Sequence, residues 1–473
     1  MSLFLISILA LVAGYFVYGK FVDKVFGIDE NKTTPAYELK DGVDYVPMPW
    51  YKIFLIQFLN IAGLGPIYGA VAGALWGPKA FFWIVLGSIF AGGVHDYFSG
   101  MLSIRHKGAS VSEIVGKYLG PFAKQFMRGF SVILLILVGT VFMTGPAKLL
   151  GSLSFLGIES YKVWLGIVLI YYFLATILPI DKIIGKIYPL FGAVLLIMAV
   201  GIGSMLLIKG YQLPALTAAN IHPKGLPVWP LLFITIACGA ISGFHATQSP
   251  LMARCVENEK YGRGIFYGSM IAEGVIALIW AAAAMSFYNS TEGLQAAISA
   301  GGQGAVVNEI SRALLGKFGG LLAMLGVIAC PITSGDTAFR SARLVIADFI
   351  NSNQSKINKR LMLAIPLFAV GFGLSLIDFN IVWRYFAWSN QTLATLMLWA
   401  AAMYLAKTNK LHWIATIPAT FMTAVVTTYI LQAPEGFKLA TSISYPVGIA
   451  AAVIAFGLFI VKSKNKTETP IEA

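Results

Sequence analysis

Charge is what this sequence has least of. Asp, Glu, Lys and Arg make up 12% of its 473 residues, about half the roughly 25% of a soluble globular chain. So few charges could not cover a surface facing water, which excludes a soluble protein of two or three domains. Cysteine is as scarce. Cys238, Cys255 and Cys330 stand far apart, with no CxxC or Cys/His pairing, so neither a disulfide framework nor a zinc site is expected. Long polar regions are also missing. They are confined to 20–52, to about 288–316, and to a tail from Lys462 that reads as disordered. The stretch at 288–316 alternates helix formers with a glycine pair and predicts short surface helices over an extracellular mouth.

What is present is apolar. Hydrophobic residues reach 58%, and stretches of about 20 apolar residues, each enough to cross a bilayer core as a helix, recur along the chain. Hydropathy predicts an all-α polytopic membrane protein of about thirteen spans: 3–19, 53–75, 80–103, 129–149, 162–180, 184–208, 229–251, 264–287, 318–339, 361–377, 380–406, 411–431 and 445–461. The first is expected to be a retained helix and not a signal peptide, because no basic residue precedes it while Lys20 and Lys24 follow it.

The net charge of +13 invites a nucleic-acid partner, but its distribution argues otherwise. Odd-numbered loops and the C-terminal tail hold 25 of the 34 Lys and Arg; even-numbered loops and the N-terminus hold 9. The positive-inside rule then places the N-terminus outside and the C-terminus in the cytoplasm. The basic surplus is topology, so membrane lipids and a small-molecule substrate are the expected partners, with no nucleic acid. Nothing in the sequence speaks to oligomeric state.

Two spans carry helix-breaking chemistry at mid-depth: NIAGLGPIYG from Asn60 and CGAISGFHATQSP from Cys238. Proline removes a backbone donor and glycine tolerates non-helical angles, so both segments can unwind. Unpaired backbone survives at that depth only when buried in protein or lining a cavity. The two breaks open consecutive five-helix sets. The chain therefore divides into an N-terminal helix and cytoplasmic loop (1–52), a first five-helix repeat (53–208), a second (229–406), and two accessory helices with a polar tail (411–473). Five helices per set invert the second relative to the first, the pattern of a secondary transporter with a midplane site. Close packing through small residues is the plainer account of either break taken alone.

Ionisable residues at membrane depth are functional candidates by default. His95 and Asp96 lie toward the inner end of span three, where they are expected to cap a helix end, to pair with Arg105, or to gate. His245 and Gln248 sit in the second break. Glu273 lies among apolar neighbours in span eight, where a desolvated carboxyl suits proton carriage or a buried hydrogen bond. Span nine ends in Thr333-Ser334-Gly335-Asp336, with Arg340 a turn further on. Hydroxyls, a carboxylate and unwound carbonyls suit a small alkali cation, while back-bonding of the hydroxyls to the preceding turn is the plainer alternative. Asp336 with Arg340 or Arg343 also fits an inner-gate ion pair. Substrate contacts are expected at Asn60, Gly63, Gly65, Ser242, Gly243, His245 and Gln248. Coupling is expected at Asn60, Ile61, Glu273, Thr333, Ser334 and Asp336, and gating at His95, Asp96 and Arg340. No covalent chemistry and no cofactor are expected beyond Na+ or H+ as coupling ion.

The run DGVDYVP from Asp41, IAGLGPIYGAVAGALWG from Ile61, GGVHDYFSGMLSIRHKGAS from Gly92 and FITIACGAISGFHA from Phe233 resembles the carbon starvation protein A family of bacterial inner-membrane transporters. Glu273, the segment Asp336 to Arg343, and Asn390-Gln391 extend the likeness, which runs from about residue 40 to 400. The resemblance implies uptake of pyruvate or peptides during carbon starvation and a LeuT-type five-plus-five inverted repeat. By the same likeness, Thr333 and Ser334 would supply hydroxyls to a sodium site facing carbonyls near Asn60 and Ile61, and 288–316 would cap an extracellular vestibule. The chain departs from the family pattern at Ala70, Gln57, Asn60 and the contracted Thr247-Gln248-Ser249-Pro250, all around the expected cavity. A passive channel for small anions and a non-transporting starvation sensor are the rival readings.

Overall fold

The computed structural model describes residues 1–464 apart from 43, 153, 154, 178, 179, 351, 353 and 355. Among the described residues the chain is helical, without a β-strand. The apolar stretches form α1 (Ser2–Phe26), a bent pair α2a (Trp50–Ile61) and α2b (Gly65–Trp76), α3 (Lys79–Arg105), α4 (Pro121–Ser152), α5 (Tyr161–Ile177) and α6 (Ile180–Ile208). They continue with a broken pair α7a (Leu231–Thr235) and α7b (Gly243–Ala253), α8 (Glu259–Phe287), α9 (Gly319–Phe349), α10 (Ile357–Ser375), α11 (Phe379–Lys407), α12 (Trp413–Gln432) and α13 (Thr441–Lys464).

Among the described residues, nine helices are long and apolar enough to cross a membrane, and the bent α2 pair makes ten. The chain is a multi-pass membrane protein. Three expected spans fall outside that set. α5 is short, α7 is broken into pieces of 5 and 11 residues, and α11 carries Arg384, Asn390 and Gln391 among its apolar residues. The expected tail lies mostly outside the described residues.

The most apolar windows of α3 and α8 are each 83% buried, against 28% for α1, 17% for α10 and 22% for α13. The first two are central. The others are peripheral, and turn Leu9, Val370 and Val453 outward.

The loops sort into two ends. At one end, Met48 N donates to Cys255 O (3.1 Å), Thr34 Oγ1 to Val256 O (2.6 Å), Arg254 Nε to Gly108 O (3.1 Å), and Arg105 holds Glu259. These residues belong to or border the first, third and seventh loops. At the other end, Lys79 Nζ donates to Ala218 O and Ala219 O, Trp76 Nε1 to Leu226 O, and Lys209 Nζ to Ala313 O. Those residues belong to or border the second, sixth and eighth loops. The stretch 291–316 runs as helical pieces that turn at Gly302 (φ 74°) and Gly316 (φ 65°).

Arg105 corrects one expectation. Its guanidinium spans Glu259 (3.0 and 3.1 Å), the Tyr404 hydroxyl (2.9 Å) and Gly27 O (2.6 Å), and lies 4.2 Å over the Phe26 ring. Asp96 stands more than two turns earlier on α3 and finds other partners. Span nine also runs further than its hydropathy suggests. The helix continues to Phe349, so Asp336 and Arg340 lie inside it, paired at 3.4 Å, while Arg340 also reaches Ala175 O on α5 (3.1 Å).

The Arg105–Glu259 clamp ties α1, α3, α8 and α11 together, with Glu259 1% and Arg105 9% exposed at the side chain. Breaking a buried pair leaves one charge uncompensated. Glu259→Gln is therefore expected to cost about 3 kcal/mol in a thermal or denaturant unfolding assay in detergent. Lys107→Gln, which removes the exposed pair with Glu38, is expected to leave the midpoint unchanged; equal effects from the two would disprove the clamp.

Candidate functional site

Both expected helix breaks exist, and they lie side by side. In α7 the chain leaves helical geometry after Thr235 and re-enters at Gly243, with Gly239 at φ 89°. Carbonyls freed by such a break must find donors. Trp83 Nε1 on α3 donates to Ile236 O (2.9 Å), Ser88 Oγ to Gly239 O (2.9 Å), and Gln391 Nε2 on α11 to Phe233 O. The first turn of α7b is capped from α11. Asn390 Oδ1 accepts from Phe244 N (2.6 Å) and its Nδ2 donates to Ser242 Oγ (2.9 Å). A Cβ at Gly92 would stand 2.3 Å from Ala240 O, and one at Gly243 2.3 Å from Asn390 O. Only glycine lets these backbones approach.

The α2 break is packed as tightly. A Cβ at Gly63 would meet the Phe142 ring at 2.6 Å, and one at Gly65 would meet Cys238 Cβ at 2.2 Å. Both glycines therefore touch protein here, and the α7b N-terminus expected to meet a substrate carboxylate is occupied by Asn390. Ser334 Oγ back-bonds to Cys330 O (3.1 Å) and also lies 3.3 Å from Leu59 O, while Thr333 Oγ1 bonds Cys330 O (2.7 Å). Cys330 Sγ faces Ala62 O at 3.4 Å. The expected hydroxyls and unwound carbonyls are thus adjacent, beside the buried Ile61.

The main assembly lies between α3, α7b and α8. Asp96 Oδ1 takes His95 Nδ1 at 2.7 Å, and Asp96 Oδ2 takes His245 Nδ1 at 2.8 Å. On its far side His245 Nε2 points at Glu273 Oε2, 3.5 Å away. All four side chains are wholly buried. Two carboxyls and two imidazoles thus form one chain, Glu273–His245–Asp96–His95. Among the described residues, both Glu273 oxygens and the Nε2 atoms of His95 and His245 lack hydrogen-bond partners. With Nδ1 held by Asp96, His245 keeps Nε2 free to take or give a proton opposite Glu273. The Cys238 sulfur also lies within 4.8 Å of His245 and Glu273 ligand atoms, near enough for one ion to reach all three. That thiol is already engaged, taking Asn390 Nδ2 and facing Ser242 Oγ, both at 3.4 Å.

A second polar group lines the α2a–α7b–α9 junction. Gln57 Nε2 reaches Ser249 Oγ (3.4 Å), and Gln248 Nε2 reaches Thr247 Oγ1 (3.0 Å) and Ser341 Oγ (3.4 Å). The amide oxygens of Gln57, Asn60 and Gln248 are buried without partners among the described residues. A cavity of about 180 Å³ at the odd-loop end is lined by Thr247 and Ser341, the hydroxyls that hold Gln248.

The sequence points to the His95-Asp96 pair, to His245 and to Glu273 separately; their union shows only in three dimensions. The available signal was physical: spans three, seven and eight each carry ionisable groups inside the membrane, and such groups are cheapest to bury against one another. Gln57 was noted as a departure and given no role. Asn390-Gln391 entered through the resemblance; their work in holding the break shows only in three dimensions.

The carbon starvation protein CstA model matches residues 1–154, 152–302 and 285–429. The chain belongs to that family. A membrane protein of Haemophilus influenzae is 48% identical over 349 residues, covering 63% of this chain and 94% of its own. The Campylobacter jejuni peptide transporter CstA is 26% identical over 92% of this chain and 81% of its own. The Escherichia coli pyruvate/proton symporter BtsT is 28% identical over 58% of this chain and 47% of its own. These named CstA-family relatives are transporters, not enzymes. Among solved structures, a manganese transporter variant of Eremococcus coleocola superposes with a TM-score of 0.55 at 14% identity, covering 91% of this chain and 99% of that one. That likeness concerns the fold alone.

Asn390 holds the break, so its removal should be felt as an unmade buried bond at Phe244 N. Asn390→Leu is expected to lower unfolding stability by about 2 kcal/mol, while Thr392→Val, two residues along α11, stays within about 0.5 kcal/mol. Equal midpoints for the two variants in a thermal melt would contradict the capping role.

Proposed function

We propose that the protein is a secondary active transporter of the bacterial inner membrane that imports a small carboxylate such as pyruvate, or a short peptide, with a cation. The observation that carries this reading is the Glu273–His245–Asp96–His95 chain beside two helix breaks. The names of the peptide and pyruvate relatives support the substrate class.

In this reading the thirteen helices span the bilayer with the N-terminus outside and the C-terminus in the cytoplasm. Helices α2 to α6 and α7 to α11 form inverted repeats of the LeuT type. Spans two, three, seven and eight rock against four, five, nine and ten. The Asp336–Arg340 pair, tied to α5 through Ala175 O, steadies the second group.

Coupling runs through one proton shared by Glu273 and His245. Asp96 fixes the His245 tautomer, and His95 completes the hydrogen bonds of Asp96. Substrate meets the amides of Asn60, Gln57 and Gln248, while Gly63 and Gly65 pack on protein and the Ser242–Gly243 turn is held by Asn390. A side-chain amide can offer NH₂ to a carboxylate or oxygen to an ammonium. The unpartnered oxygens at these three positions leave that capacity in hand.

A sodium-coupled variant of the same reading has its own support. Ser334 Oγ and the Leu59 and Ala62 carbonyls converge beside Thr333, and hard oxygen ligands of this kind suit an alkali cation. The channel alternative shares the broken helices but predicts flux without accumulation.

Proteoliposomes given separate proton and sodium gradients, with labelled pyruvate or a labelled dipeptide, separate these cases. Accumulation driven by the proton gradient is expected, and Glu273→Gln is expected to flatten its pH profile and cut the driven rate at least tenfold, a loss of about 1.4 kcal/mol in the driven step. Sodium-driven uptake that disappears in the double variant Thr333→Ala, Ser334→Ala would assign coupling to sodium. If no gradient drives accumulation, the symporter reading fails.

A further inference from the structure

The even-loop end holds a cavity of about 600 Å³, larger than the one at the opposite end. Its wall comes from the end of α4, the sixth loop, the strap 295–305 and the start of α11. Among the described residues three cations line it, Lys148, Lys224 and Arg384, and no acidic residue does. Arg384 is neutralised by Glu435 at 3.0 Å. Among the described residues neither Lys148 nor Lys224 forms an ion pair, and both are exposed. Lys148 Nζ instead stands 5.2 Å over the Phe379 ring, which orients the ammonium without cancelling its charge. The nearby acid Asp378 is turned to Asn380 N as the cap of α11 (2.9 Å) and does not line the cavity.

The floor of the cavity is Tyr68 on α2b. Its side chain is 3% exposed, and it packs at 5.9 Å on Trp383. The strap lies directly on it, since a Cβ at Gly304 would stand 2.6 Å from the Tyr68 hydroxyl. Beside it, a Cβ at Gly145 would stand 2.5 Å from Leu64 Cδ1. Tyr68 lies on the first turn of α2b, four residues beyond Leu64 in the α2 break.

A concave site with two unneutralised cations and no lining anion concentrates small anions from solution, and salt weakens the effect. We propose that this cavity is an outer binding site for small carboxylates, held by the Lys148 and Lys224 ammonium groups and closed from the buried centre by Tyr68 beneath the glycine strap. Its use as a waiting site for import rests on the transport reading. The binding itself does not.

Two assays on the full chain test the site: uptake of labelled pyruvate into proteoliposomes, and pyruvate binding to the detergent-solubilised protein followed by tryptophan fluorescence. Each is run at about 20 mM and about 500 mM salt, which bracket strong and weak screening. Both lysines are exposed, so K148Q/K224Q is expected to melt as wild type does. At low salt its KM for pyruvate rises about five- to tenfold with unchanged maximal rate, and its salt dependence disappears. K148R/K224R keeps the wild-type KM and salt dependence. A double Gln variant with wild-type KM, binding and salt dependence would overturn the proposal. Should wild type fail to accumulate pyruvate under every gradient, the transport reading falls. The outer site then stands if salt-sensitive pyruvate binding is lost in K148Q/K224Q and kept in K148R/K224R, and falls if no such binding is seen.

Discussion

A carboxylate with no access to water needs a donor for each oxygen, and Asp96 takes one imidazole on each. That requirement organises the centre of the molecule. His95 comes from the same helix, but His245 is 149 residues away on α7b, and beyond it lies Glu273 on α8. Burying these groups separately would cost several kcal/mol apiece. Burying them in one line holds three helices at fixed separations. The glycines of α3 follow from this: Gly92 against the Ala240 carbonyl, Gly93 against Tyr267 and Gly100 against Phe266 admit the partner helices closely enough for the side chains to meet.

The helix breaks depend on the same packing. Unwound backbone inside a membrane protein survives only with internal partners, and the α7 break draws them from both sides. Trp83 and Ser88 come from α3, Asn390 and Gln391 from α11. The α2 break has fewer partners and leans on Cys330 and Ser334 of α9. One break is therefore firmly capped, while the other keeps amide oxygens in reserve at Gln57 and Asn60. Polar capacity left open at a buried position is available to a ligand or an ion.

Much of this was legible in the sequence because it follows from one-dimensional patterns. Scarcity of charge gave the solvent, apolar periodicity gave the helices, and glycine and proline inside apolar runs gave both breaks. Alternating Lys and Arg forecast that odd and even loops would gather at opposite ends, as Met48 with Cys255 and Lys79 with Ala218 do. Pairing was not legible. Proximity along the chain offers Asp96 as one partner for Arg105, yet the partner it takes, Glu259, lies 154 residues away. Proximity misled because a helix turns Asp96 and Arg105 to different depths, nine residues and about 13 Å of rise apart. Hydropathy likewise ended span nine too early, because Asp336 and Arg340 neutralise each other within the helix and allow it to continue.

The short helix α7b joins the two polar groups. His245 and Gln248 stand three residues apart, so they share one face across a single turn. Ser249, one residue further, donates to the His245 carbonyl and receives Gln57 Nε2. The bond between Asp96 and His245 is a charge-assisted contact whose strength depends on the proton count of the imidazole and of Glu273 beyond it. A change in that count alters the pull on the first turn of α7b, and the next turn carries Gln248 against Thr247 and Ser341 at the head of the smaller cavity. Because α7b is cut from α7a by seven non-helical residues, it can respond without bending a whole span. A half-helix of 11 residues, held at its first turn by Asn390 and by Asp96, thus physically links the buried His245–Glu273 contact to the hydrogen bonds of Gln248.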